Sequence, residues 1–155
     1  MATEIERKFL VSSDEYKKLA LPVYYRQGYL SASPTCVVRV RVAGEKAYLT
    51  IKGKTKGLTR DEFEYNIPVD EANEMLSKMA LTNIIEKNRY IIKYVGNNWE
   101  VDEFLGDNAG LIVAEIELES EDAPFDKPAW VGKEVSDDGR YFNSGLSQNP
   151  YKNWG

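Results

Sequence analysis

Histidine is absent from the 155 residues, and cysteine occurs once. The first absence excludes a Ser–His–Asp or Cys–His nucleophile pair, an imidazole general base and a His-ligated zinc. The second excludes an internal disulfide and a cysteine-rich metal site; a lone Cys36 fits a reducing compartment and reads as a small apolar residue at a strand start. Long hydrophobic runs are missing too. Those present fall far short of the roughly 18 residues a membrane-spanning helix needs. The opening Met1–Lys8 segment is charged at once and has no apolar signal core. The expectation is a cytoplasmic protein with no membrane partner. Basic residues are the minority sign, 20 against 25 acidic, for a net charge of −5. That balance argues against a nucleic-acid partner, although a local basic pocket remains compatible with it.

What is present is alternation. No repeat, low-complexity tract or linker divides the chain, so one domain is expected over residues 1–155. Period-two patterning marks strands at Ile5–Val11, Tyr25–Ser31, Thr35–Val42, Lys46–Lys54, Thr59–Asn66, Ile84–Tyr94, Trp99–Phe104 and Leu111–Leu118. Turns are expected at Ala43-Gly44-Glu45, at Gly96-Asn97-Asn98 and around Gly106–Gly110. Helices are few: a short one over Ser13–Ala20, one from Pro68 with Asp70 as N-cap, and a third over Asp138–Leu146. The fold class is mainly β (α+β), a curved or closed antiparallel sheet with helices packed outside.

Side chains at i, i+2 and i+4 share one face of a strand. Glu4, Glu6 and Lys8 therefore lie together, as do Arg39 with Arg41, Thr50 with Lys52, and Arg60 with Glu62 and Glu64. Further along, Lys87 joins Arg89, Glu100 joins Asp102, and Glu115 joins Glu117. Two readings compete. These faces are the solvated side of a sheet, or they line a charged interior. Same-sign blocks on single strands favour the second, because a solvated face would mix in Ser, Thr, Asn and Gln. The Arg39/Arg41 pair offers two planar forks suited to phosphate oxygens. Clustered carboxylates suit Mg²⁺ or Mn²⁺, and both rows in one cavity would suit a metal–polyphosphate complex. A lipocalin-like carrier would need an apolar lumen instead.

The segment Glu4-Ile5-Glu6-Arg7-Lys8 resembles the N-terminal ExExK signature of the CYTH-type triphosphate tunnel metalloenzymes. Val38-Arg39-Val40-Arg41, Leu49-Thr50-Ile51-Lys52, Glu62-Phe63-Glu64-Tyr65, Glu86-Lys87-Asn88-Arg89, Asp102 and Glu115-Ile116-Glu117 follow in the order of that family's tunnel strands. The tail Gly132–Tyr141 is similar to that of the short bacterial members, so the resemblance covers nearly the whole chain. It implies a closed eight-stranded antiparallel β-barrel or tunnel with a charged lumen. It also implies metal-dependent hydrolysis of a triphosphate, inorganic triphosphate first, with Mg²⁺ or Mn²⁺ as cofactor. By the same resemblance, Glu4, Glu6 and Glu117 would hold metal. Glu62, Glu64, Asp102 and Glu115 would serve a second metal or the attacking water. Lys8, Arg39, Arg41, Lys52, Lys87, Arg89 and Lys133 would bind phosphates, with Arg60 in the lumen or at its mouth. The alternatives are a nucleoside or thiamine triphosphatase, a class IV-type adenylyl cyclase and a non-catalytic polyphosphate-binding module. A small-molecule substrate and a monomer or homodimer complete the expectation.

Overall fold

The computed structural model describes residues 3–81 and 83–154. Alternating sequence becomes nine strands: β1 (Thr3–Val11), β2 (Val23–Ser33), β3 (Cys36–Ala43), β4 (Lys46–Gly53), β5 (Thr59–Ile67), β6 (Ile85–Tyr94), β7 (Asn97–Phe104), β8 (Ile112–Glu117) and β9 (Val131–Glu134). All pair antiparallel, in the order β5-β4-β3-β2-β6-β7-β8-β1-β9. A further pairing of Thr3, Glu4 and Ile5 with Asp61, Arg60 and Thr59 joins β1 to β5 and closes eight strands into a ring. Closure removes the edges that an open sheet would leave unpaired. The eight expected strands are present; the short β9, which lengthens the wall beside β1, was not foreseen.

Much of the outer face of the ring is apolar and covered, although Phe63 and Tyr65 of β5 remain exposed. Helix α1 (Val69–Met79) buries Ala72 and Leu76 against Val40 and Ala47. It comes so close that a Cβ on Gly28 of β2 would lie 3.0 Å from Leu76 Cδ2 and 2.9 Å from Ile84 Cδ1. Pro68, not Asp70, occupies the N-cap position; Asp70 sits in the first turn, where its charge complements the helix dipole. The helix expected over Ser13–Ala20 contracts to a single 3₁₀ turn, Glu15–Lys18. So short a segment cannot sustain a helix alone, and its conformation follows from its anchor: fully buried Tyr16 meets the edge of Tyr90 at 5.1 Å beside Trp99 and Trp130.

The helix expected over Asp138–Leu146 is interrupted. A 3₁₀ turn at Gly139–Tyr141 and α2 (Asn143–Gln148) are separated by an extended Phe142. Leu146 of α2 packs with Tyr29, Ile85, Phe104, Leu111 and Val113, which face inward at one end of the ring. That end is thus filled and apolar, and the polar cavity occupies the remainder. The acidic stretch at Glu119–Asp122 contains a clasp. Glu121 accepts from Leu58 N and Thr59 Oγ1, both at 3.1 Å, and ties down the β4–β5 hairpin tip.

Candidate active site

Cross-strand register decides which charges meet. Residues directly opposite in a ladder project to the same face. Glu6 opposes Glu117 and Lys8 opposes Glu115 between β1 and β8; Glu100 opposes Glu115 between β7 and β8. On the other side Glu4 opposes Arg60, Lys52 opposes Glu62, and Thr50 opposes both Arg39 and Glu64. The ring closes over these residues to form a cavity of about 230 Å³. Its acids come from β1, β5, β7 and β8, and its bases from β1, β3, β4, β5 and β6.

Most charges are paired. Lys52 donates to both oxygens of buried Glu4 at 3.1 and 3.0 Å, and Arg60 Nε adds a third contact at 3.1 Å. Burial raises the proton affinity of Glu4, but these cations overcome it and bring its pKa to about 2. Lys8 Nζ lies 2.9 Å from Glu115 and holds that buried carboxylate ionised, well below its ordinary range. Glu64 accepts from Thr50 Oγ1 at 3.0 Å and lies 3.7 Å from Arg39.

Three carboxylates behave differently. Glu6 and Glu117 have no hydrogen-bond or ion-pair partner among the described residues. Burial, then repulsion from Glu115 and Glu4, pushes Glu6 up to about 8. Burial with Glu4 and Glu100 nearby raises Glu117, and burial beside Glu4 raises Glu62. Glu6 and Glu117 lack a cation, whereas Glu62 lies 3.3 Å from Lys52 Nζ. Among the described residues no three acids converge into a preformed cage, but Mg²⁺-type ions need only one or two protein carboxylates when substrate oxygens supply the rest.

The structure brings together eleven of the expected site residues: Glu4, Glu6, Lys8, Arg39, Arg41, Lys52, Glu62, Glu64, Arg89, Glu115 and Glu117. Lys87 and Asp102 lie beneath that surface, fully buried. Asp102 has both oxygens engaged, by Arg89 Nε at 2.7 Å, Arg89 Nη2 at 2.8 Å and Lys87 Nζ at 2.7 Å. Arg89, with one edge in the cavity, is held from behind by this pair. Burial, with Arg89 and Arg41 close by, lowers Lys87 to about 7 despite Asp102. Lys133 is exposed and lines a neighbouring surface cleft with Arg7 and Asp137.

Sequence reasoning left some cavity residues out. Arg60, left open between lumen and mouth, is in the lumen. Glu100 also lines it, as its alternation with Asp102 allows. Tyr25 and Gln27 face inward from β2, a strand whose inner face carries no charge to mark it. Phe142, Asn143 and Ser144 enter from α2 and the residue before it, with no periodic signal at all.

Comparison with known proteins agrees with this architecture. The profile of the CYTH domain family matches residues 2–147. An inorganic triphosphatase of Acetivibrio thermocellus is 55% identical over 154 residues, 99% of each chain. An inorganic triphosphatase of Nitrosomonas europaea is 40% identical over 150 residues, 94% of this chain and 97% of its own. A crystal structure described as an inorganic triphosphatase superposes with a TM-score of 0.68 at 35% identity, covering 95% of each chain.

Proposed function

Because the chain belongs to the CYTH domain family, we propose that it hydrolyses the terminal phosphoanhydride bond of inorganic triphosphate with the help of Mg²⁺ or Mn²⁺. The observation that carries this reading is the ring closure. It gathers an unpartnered carboxylate pair and a row of cations, from strands far apart in sequence, into one cavity. The relatives named as inorganic triphosphatases support the choice of substrate.

Glu6 and Glu117 would hold the metal, with Glu4 and Glu62 beside them. The raised proton affinities of Glu6 and Glu117 mark a place where positive charge is wanted. When bound, the divalent ion neutralises charge on the phosphate oxygens and eases departure of the leaving group. Lys8, Arg39, Arg41, Lys52 and Arg89 grip the phosphate chain, and Arg60 joins them from the β5 side. Arg39 has a buried Nε without a partner, a donor available to an incoming oxygen. Water attacks the terminal phosphorus. The bond to the bridging oxygen breaks, and the water proton passes to a carboxylate, for which half-buried Glu62 is suited by its raised affinity. Orthophosphate and pyrophosphate leave. Asp102 and Lys87 act from behind by fixing Arg89. The free thiol of Cys36 fits a cytoplasmic setting.

Phosphate release should be measured from inorganic triphosphate, pyrophosphate, ATP and thiamine triphosphate, with and without a chelator. We expect inorganic triphosphate to be turned over fastest and the chelator to abolish the reaction. Much faster release from ATP would assign a nucleoside triphosphatase, and a cyclic nucleotide product would assign a cyclase. Binding without turnover of any of the four would assign a polyphosphate-binding module.

A further inference from the structure

The inward-facing cations mostly have anions: Lys8 has Glu115, Lys52 and Arg60 have Glu4, Lys87 and Arg89 have Asp102, and Arg39 has Glu64. Arg41 pairs with no carboxylate among the described residues. It is held by neutral groups instead. Its Nε donates to Gln27 Oε1 at 2.9 Å, and its guanidinium lies 5.0 Å from the centre of the Tyr25 ring.

The holder is itself fixed. Gln27 is fully buried and opposes Arg41 in the β2–β3 register. An amide so placed could present oxygen or nitrogen to Arg41, and a third residue selects the oxygen. Lys87 Nζ donates to Asn143 Oδ1 at 3.0 Å. Ion-paired with Asp102 at 2.7 Å, Lys87 is a donor here, so Asn143 turns its oxygen inward. Gln27 Nε2 donates to that same oxygen at 3.3 Å, which leaves Gln27 Oε1 for Arg41. Tyr25 completes the arrangement. Its ring also receives Arg89 at 4.8 Å and lies 6.0 Å from Lys87, so one aromatic group holds neighbouring cations that repel each other. A π face attracts a cation without cancelling its charge.

We propose that Gln27 and Tyr25 are positioning residues that hold Arg41 by neutral contacts alone, so that its whole charge is available to the phosphate chain. A carboxylate in place of Gln27 would hold the guanidinium equally well and remove it from the substrate. Asn143 makes α2 part of this arrangement. The inference rests on the triphosphate reading, since it assumes an anion in the cavity.

The test compares Gln27→Glu, Tyr25→Leu and Tyr25→Phe with the parent protein. KM and kcat are measured for inorganic triphosphate, alongside calorimetric binding of triphosphate and the melting temperature. Gln27→Glu should raise KM about tenfold or more, the scale of one charge-assisted contact, while kcat falls much less. Tyr25→Leu should raise KM severalfold, and Tyr25→Phe, which keeps the ring, should recover most of the loss. A Gln27→Glu protein with parental melting and KM within about twofold of the parent would overturn the proposal, since a lost contact of this type exceeds that. If Gln27→Glu fails to fold, the tyrosine pair decides: equal KM for Leu and Phe overturns it. A parent that neither binds nor turns over triphosphate sinks the functional reading and this proposal together, whereas active variants with unchanged KM sink the proposal alone.

Discussion

Glu6 and Glu117 face each other between β1 and β8 with no cation between them, and this arrangement has a pH signature. A glutamate in the unfolded chain ionises near 4.5, whereas Glu6 in the metal-free fold does so near 8. Between those values the folded protein holds a proton that the unfolded chain has released. The stabilisation is complete below about pH 4.5 and is lost as pH rises through about 8. Glu6→Gln removes the penalty. At pH 8.5 the metal-free variant should be more stable than the parent by about 1–2 kcal/mol, a figure reduced for cavity water. At pH 4.5 the two should melt alike. Turnover should fall about 100-fold or more, the scale of one lost charge-stabilising contact. Equal melting at both pH values would return Glu6 to ordinary surface charge. Asp102 is the opposite case, because its charge is fully used by Arg89 and Lys87. Asp102→Asn strands two buried cations and should cost about 3–5 kcal/mol in denaturant unfolding; a loss under about 1 kcal/mol would fit a solvated residue instead.

The hairpins show how elements are fixed locally and where that fails. Gly96-Asn97-Asn98 carries the turn signal, yet the turn itself is Val95-Gly96, and Asn97 already belongs to β7. Val95 has φ of 47° and Gly96 has φ of 79°, the left-handed pair that a tight antiparallel hairpin requires. A β-branched residue is poorly suited to that conformation. It is tolerated because the registers on both sides are set by burial: Tyr90 packs outward, and Arg89 is bound to Asp102 inside. Val95 is exposed, so Val95→Asn should remove strain without disturbing a contact and stabilise by about 1 kcal/mol. Thermal melting checks this, and an unchanged or lower midpoint would mean that the backbone is not strained there.

The molecule as a whole is a ring built around repelling charges. Any divalent ion bound by the folded state alone must stabilise it by mass action, about 2.7 kcal/mol at a hundred times the dissociation constant. Mg²⁺ or Mn²⁺ should therefore raise the melting temperature, a chelator should reverse the rise, and Glu6→Gln and Glu117→Gln should respond less. An equal response in the parent and both variants would move the ion elsewhere.

Much of this was already in the residue order. Alternation alone placed Glu4, Glu6 and Lys8, or Arg39 and Arg41, on shared faces, because side-chain direction in a strand depends only on parity. The helix signals for α1 were similarly local. Parity cannot say whether a face is inside or outside, nor how deep along the axis a residue sits. Those depended on the pairing of β1 with β5 and on the stagger between strands, which join residues about sixty positions apart. Glu100 and Asp102 illustrate the difference. They share a strand and a face, yet Glu100 lines the cavity while Asp102 lies beneath it with both oxygens engaged. Asn143 carries no periodic mark and reaches Lys87 only because α2 closes one end of the ring. Residue order sets which side chains travel together, and closure of the ring sets which of them meet, because depth and opposition are properties of strand register rather than of any one strand.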